Sequence, residues 1–280
     1  MSSQALELSY EFFPPRTDTG KQTLASTRLE LSKLNPAFFS VTYGAGGSTQ
    51  NKTLQTVIDI QQNSDVDACP HITCVGASND EIIELLEIYR SNDIHRLLAL
   101  RGDLPSGMVG MGECKNAEQL VKLVRSHFGD YFTLTVAAYP EAHPDSRNLI
   151  NDVDYFAQKM KAGADSAITQ YFYNNDSYFH FMELCQARGV AQPVYPGIMP
   201  IGNFSSLKRF SKQCGAEIPR WIKKSMSAYE DNSESQRELG LEIVTRQCEQ
   251  LIAGGAPGLH FYTMNQSALT TAILQNLNLA

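Results

Sequence analysis

Short apolar runs alternate along the chain with longer stretches whose apolar positions recur every three or four residues. The runs LELSYEFF (6–13), AFFSVTY (37–43), ACPHITCVG (68–76), IHRLLAL (94–100), TLTVAAY (133–139), SAITQYFY (166–173), PVYPGIMPI (193–201) and GLHFYTM (258–264) read as strands. Helical spacing follows each of them. The stretches 20–34 and 51–63 are the first two helices. Ser78 and Glu81 then have capping-box spacing ahead of a face made by Ile82, Leu85, Leu86 and Tyr89. Leu120, Val121, Val124 and Phe128 share a face that Gly129 terminates, and Leu149, Val153, Phe156 and Met160 share the next. Helices also fit SYFHFMELCQARG, SSLKRFSKQCG, a helical insertion from about 219 to 237 with a long helix after it, and SALTTAILQNL at the end.

Repeated strand–helix units imply parallel strands with helical crossovers. Eight such units with no linker between them predict a (β/α)8 TIM barrel, a single catalytic domain over residues 1–280. An open doubly wound sheet is the competitor. Its dinucleotide fingerprint is missing, because Gly44-Ala45-Gly46-Gly47 lacks the third glycine at the required place.

Barrel chemistry sits at the C-terminal ends of the strands. Those ends carry Glu11, Thr42, His71, Arg101 with Asp103, Tyr139 with His143, Gln170, and Tyr262 with Asn265. Glu11 is the most anomalous, a carboxylate among aromatics and just ahead of Pro14-Pro15. Apolar surroundings raise a carboxyl's proton affinity, as a proton donor requires, although an edge-strand glutamate facing solvent fits the same letters. His71 also fits a core histidine, Thr42 ordinary strand composition, and Gln170 a barrel-layer amide; the set says more than any member. In Arg101-Gly102-Asp103, glycine admits a flat ligand close to the backbone. Arginine forks onto phosphate or carbonyl oxygens. The aspartate accepts paired bonds from an amidine-like edge. An Arg–Asp surface pair is the plainer alternative. GAGGS before a helix fits an anion site or a tight turn equally. Lys159 fits a diphosphate ligand or a solvated helix face, and His143 lies in a loop stiffened by Pro140 and Pro144. Trp221 reads as a packing anchor.

Composition narrows the classes. The chain has 280 residues, 42% hydrophobic and 19% charged, with net charge −7. An acidic balance excludes nucleic acid or an anionic membrane as an obvious partner. Six cysteines without CxxC spacing read as reduced thiols of a cytoplasmic protein. The first residues lack a signal-peptide layout, and no apolar run approaches the ~20 residues of a membrane span. His71, His143 and His260 are scattered without HxH or HExxH spacing, so no metal site is expected. No GxSxG elbow is present.

The blocks YEFFPP (10–15), FFSVTYGAGGST (38–49), PHITCVG (70–76), LALRGDLP (98–105), VAAYPEAHP (136–144), KAGADSAITQYFY (161–173), PGIMPI (196–201), IPRW (218–221) and HFYTMNQ (260–266) together resemble the methylenetetrahydrofolate reductase family, in its short bacterial type. The resemblance implies FAD bound across the strand ends of a barrel and ping-pong reduction of 5,10-methylenetetrahydrofolate with NADH or NADPH. It implies a cytoplasmic role in methionine synthesis, a homotetramer, and no C-terminal regulatory domain. Carried over, Glu11 is general acid and Asp103 holds the pterin and acts on the flavin by its charge. Gln170 and Phe210 join them on the folate. Thr42, Tyr43, Ala45, His71, Arg101, Gly102, Asp103, Ala117, Tyr139, His143, Asp152 and Lys159 match FAD-contacting positions. Asn116, Gln158, Ser206 and Gln266 depart from that pattern. A folate-binding barrel without flavin remains the alternative, since Asp103 and Gln170 could hold a pterin with no redox step.

Overall fold

The computed structural model describes residues 6–43, 47–102 and 112–280, the side chains of 47–50 excepted. Its strands are β1 (Glu7–Phe12), β2 (Phe38–Val41), β3 (Asp67–Thr73), β4 (Arg96–Leu100), β5 (Thr133–Ala138), β6 (Ser166–Thr169), β7 (Val194–Tyr195), β8 (Gly197–Ile198) and β9 (Gly258–Tyr262). Between and after them run α1 (Asp18–Ser32), α2 (Gly47–Gln62), α3 (Asn79–Ser91), α4 (Ala117–Phe128), α5 (Leu149–Lys161), α6 (Asn175–Gln186), α7 (Phe204–Cys214), α8 (Arg220–Ser227), α9 (Ser233–Ala253) and α10 (Ala268–Asn276). All pairings are parallel, in the order β7-β6-β5-β4-β3-β2-β1-β9-β8. Only Pro196 separates β7 from β8, so the two ends of this order meet and the sheet closes. The architecture is the (β/α)8 barrel that the eight units imply.

The seventh strand departs from expectation by being split. Proline has no N–H to give a ladder. Val194–Tyr195 therefore pairs only with β6, and Gly197–Ile198 only with β9. The sixth strand is also shorter than its apolar run. It ends at Thr169, and Tyr171 and Tyr173 turn away to bond Ser211 and the Met199 carbonyl. Helix ends follow local chemistry. Ser78 and Glu81 form the capping box, and Gly129 closes α4 at φ 55°.

Strand alternation divides the side chains between two cores. Tyr10 and Phe12 are wholly buried in the layer between barrel and helices, with Phe39 and Phe261 against Tyr10. Residues of the opposite parity fill the barrel interior, where Phe38, Cys69, Leu98 and Ile168 form a small separate cluster. Ser9, Glu11, Ser40, His71 and His260 share that inward parity. The barrel centre is thus apolar in part and polar toward the exit of β1. Among the described residues, no helix is long and apolar enough to cross a membrane.

Candidate active site

Three neighbourhoods meet at the C-terminal mouth. The first surrounds Glu11. In the ladder it stands opposite Ser40 on one side and Tyr262 on the other. Its Oε2 lies 3.4 Å from His71 Nε2 and 3.9 Å from His260 Nε2, and its side chain is 17% exposed. His260 is fully buried, with Nδ1 2.8 Å from the Ser9 hydroxyl and Phe38 stacked beside the ring. Neither Nε2 makes a hydrogen bond of good geometry, and the buried Ser40 hydroxyl has no partner either. Orphaned polar atoms around one carboxylate are costly in a finished core. Burial pushes the His71 pKa down, against the pull of Glu11, so His71 is neutral near pH 7.

The backbone at this exit is held from β9. The Thr263 hydroxyl donates to the Glu11 carbonyl at 2.6 Å. Asn265 Oδ1 accepts the Phe13 N–H at 3.0 Å, and Nδ2 donates to the Phe13 carbonyl at 2.9 Å. Met264 and Asn265 both have positive φ, which ends β9 two residues before its apolar run does. Thr42, just past β2, donates its N–H to the Phe12 carbonyl. Tyr43 is half-buried, and burial raises its hydroxyl's pKa, with Glu81 adding to the effect.

The second neighbourhood is a cleft of about 690 Å³ between the ends of β4 and β5 and the helices α4 and α5. Arg101, Gly102, Ala117, Tyr139, His143, Asp152 and Lys159 all line it. Gly102 has φ 84°, and a Cβ there would sit 2.7 Å from Thr73 Cβ, so only glycine fits this cradle. The Arg101 guanidinium reaches Asp145 at 3.0 Å and holds that carboxyl below its usual range, with His143 assisting. Asp152 acts on the loop: its Oδ2 accepts the His143 N–H at 3.2 Å, and its Oδ1 accepts the Ser146 hydroxyl at 2.8 Å. The Tyr139 and His143 rings meet edge to face at 4.7 Å. Lys159 donates to the Ala137 carbonyl, and burial lowers its pKa to about 8, with Asp152 opposing.

The third neighbourhood is a cavity of about 440 Å³ on the α7 side, bounded by Phe210, Tyr262 and the residues after β9. Gln170 lines a small recess beside it with Tyr139 and Tyr171, its Oε1 accepting the Tyr171 N–H at 3.0 Å. Ala45 and Asp103 lie outside the described residues.

A family profile described as "Methylenetetrahydrofolate reductase" matches residues 1–278. The 5,10-methylenetetrahydrofolate reductase of Escherichia coli is 36% identical over 272 residues, covering 97% of this chain and 90% of that protein. The chain belongs to the methylenetetrahydrofolate reductase family. That family is one of oxidoreductases. Methylenetetrahydrofolate reductase (NADH) 1 of Zea mays is 37% identical over 284 residues, and the chain spans 48% of its length. A Clostridium thermocellum structure, titled as an uncharacterized protein binding two copies of 5-methyl-5,6,7,8-tetrahydrofolic acid, superposes with TM-score 0.67 at 16% identity. It covers 97% of this chain and 93% of that one, and the likeness is one of fold.

The sequence reading singled out Glu11 and the seven residues that line the cleft, and it assigned no role to His260, Ser9 or Ser40. His71 and His260, scattered in sequence, meet at one carboxylate, while His143 stands apart in the cleft. The signal for the missed residues was parity. Ser9 and Glu11, Ser40 and Thr42, and His260 and Tyr262 are spaced by two on inward faces.

Proposed function

We propose that the chain reduces 5,10-methylenetetrahydrofolate to 5-methyltetrahydrofolate with FAD as prosthetic group and NADH or NADPH as donor. The two substrates take turns at one site, giving ping-pong kinetics, and the product supplies methyl groups for methionine synthesis. The observation that carries the reading is Glu11, set between two buried histidines at the exit of β1 and in register with Tyr262, which lines the α7-side cavity, in a chain of this family.

The cleft fits a dinucleotide. Its volume, its cations Arg101, Arg147 and Lys159, and the glycine cradle at 102 suit a diphosphate and flat rings. Arg101, Gly102, Ala117, Tyr139, His143 and Lys159 would hold FAD, with Asp152 fixing the loop and Thr42, Tyr43, Ala45 and His71 completing the set. FAD, when bound, supplies hydride transfer. The rest falls to side chains. Glu11 delivers a proton to folate N10 as the five-membered ring opens to an iminium. With the Ser9 hydroxyl donating to His260 Nδ1, the Nε2 proton faces Glu11 and steadies the carboxylate left behind. Asp103 and Gln170 hold the pterin, and Phe210 packs on the ligand.

Purified protein should be yellow and should oxidise NADH with a quinone acceptor. Glu11→Gln should lower folate reduction by about 10²–10⁴-fold while cofactor reduction by NADH persists. Parallel loss of both would make Glu11 structural, and a colourless protein that FAD cannot restore would defeat the reading.

A further inference from the structure

The loop after β5 and the turn after α7 are joined to each other beside the cofactor cleft. The Tyr139 carbonyl accepts the Ala142 N–H at 3.1 Å, which closes a tight turn with Pro140 and Glu141 at its centre. Ala142 has φ 69°, a left-handed conformation that an alanine keeps only where its surroundings enforce it. From this turn the Glu141 carboxylate crosses to the other segment. Its Oε2 accepts the Glu217 N–H at 2.8 Å, 76 positions away. Gly215 ends α7 at φ 79°, and a Cβ there would lie 2.6 Å from Pro144 Cγ. Glu141 and Pro144, the two points of contact, flank His143 of the cleft wall. Helix α7 is also tied to the end of β6. The Tyr171 and Ser211 hydroxyls share a hydrogen bond at 3.0 Å, and the Cys214 thiol donates to the Tyr171 hydroxyl at 3.3 Å. Glu141, Gln170, Tyr171 and Cys214 line one small recess where these ties converge. Burial raises the Glu141 pKa; the Glu217 N–H draws it down, and the Glu217 carboxylate pushes it up. A half-buried carboxylate beside a like charge is unfavourable, so plain fastening of two surface loops does not account for it.

We infer that Glu141 is a positioning residue for folate: through the Glu217 N–H it holds α7, and with it Phe210, in register with Gln170 at the strand ends. The inference rests on the folate reading above, in which Gln170 and Phe210 meet the ligand. Glu141 acts on them through the backbone it fastens and transfers no proton. Without its bond, the turn after α7 rests on the contact between Gly215 and Pro144. Phe210 can then shift with its helix. Glu11 stays where it is, because Thr263 and Asn265 hold the exit of β1 from the other side. The cleft keeps its own bonds, from Asp152 to His143 and Ser146 and from Arg101 to Asp145. Loss of Glu141 therefore acts on ligand binding and spares the chemical step.

The test is equilibrium binding of 5-methyltetrahydrofolate to the flavin-loaded enzyme, with KM and kcat for the methylene form and the melting temperature read alongside. Glu141→Ala should raise Kd and KM by about tenfold, the scale of one hydrogen bond to a charged group, with kcat within about twofold of wild type. Its FAD content should match wild type. Glu141→Gln keeps an oxygen facing the Glu217 N–H and should bring KM back to within about threefold of wild type. Glu141→Asp falls a methylene short of that N–H and should show the same split in milder form, which covers the case of an Ala variant that does not fold. A KM unchanged in the Ala and Asp variants overturns the inference while leaving the folate reading intact. A Gln variant no better than Ala overturns it too, since the bond is then not what matters. Parallel loss of kcat, FAD content and melting temperature also overturns it, giving Glu141 to the fold. Absence of any folate binding by wild type overturns both the inference and the folate reading.

Discussion

Lys159 places a cation in the cleft wall, beside the Ala137 carbonyl, the Phe156 ring and the Asp152 carboxylate. Its pKa of about 8 means the folded protein sheds a proton that the unfolded chain keeps up to about 10.5. Between those values the unfolded state binds more protons, so stability of the cofactor-free protein rises with pH across that window. Below it, the buried charge is a standing cost. Lys159→Met should therefore raise the melting temperature of the cofactor-free protein by ~2–5 °C at pH 7 and weaken FAD binding, both readable by thermal denaturation with and without FAD. An unchanged FAD affinity would remove Lys159 from the cofactor site. His71 works in the same direction, in a more acid window. Its lowered pKa lets the unfolded chain take a proton that the buried ring refuses, so stability falls as pH drops through 6.5. Glu11 was legible at this scale because a carboxylate among aromatics breaks a pattern. His260 and Ser9 were not, because a polar residue at every second strand position breaks none.

At the level of elements, the exit of β1 is a joint product of two segments far apart in sequence. Asn265 closes a two-bond clamp on Phe13 while standing at φ 56°, a conformation that asparagine tolerates better than most residues. Asn265→Ala loses both bonds and leaves the part-buried Phe13 N–H and carbonyl without their partner. The expected loss is ~2–3 kcal/mol, or a melting point lower by ~5–10 °C, with folate turnover falling further than NADH oxidation because Glu11 sits two residues away. Equal losses in both activities would mean the clamp serves the fold alone. Capping chemistry was readable from letters, since Ser78 and Glu81 act on their own helix. The clamp was not, because a hydrogen bond across 252 positions leaves no local trace. Pro196 was visible, yet its effect depends on which neighbours the strand must reach.

Across the whole molecule, the barrel closes at that broken strand, and the closure depends on one residue having no side chain. Gly197 donates its N–H to the Thr169 hydroxyl at 2.9 Å, and Tyr262 donates its own hydroxyl to the Thr169 carbonyl at 2.8 Å. A Cβ on residue 197 would lie 2.2 Å from that carbonyl oxygen and 2.6 Å from the Tyr262 ring. Neither neighbour can retreat freely. The oxygen belongs to the backbone of β6, and the ring stands in register with Glu11 on the next strand. Gly197→Ala must then open the seam or displace Tyr262. Overpacking of this kind costs ~2–4 kcal/mol, so the melting temperature should drop by ~5–10 °C. Parallel strands fold into the barrel only when its first and last ladders meet, so unfolding should stay a single transition moved to lower temperature. The displaced ring adds a second signature, a raised KM for folate, because Tyr262 borders both Glu11 and the α7-side cavity. A melting temperature within 1 °C of wild type, with KM unchanged, would show that the seam has slack and that closure is carried by the helices outside it.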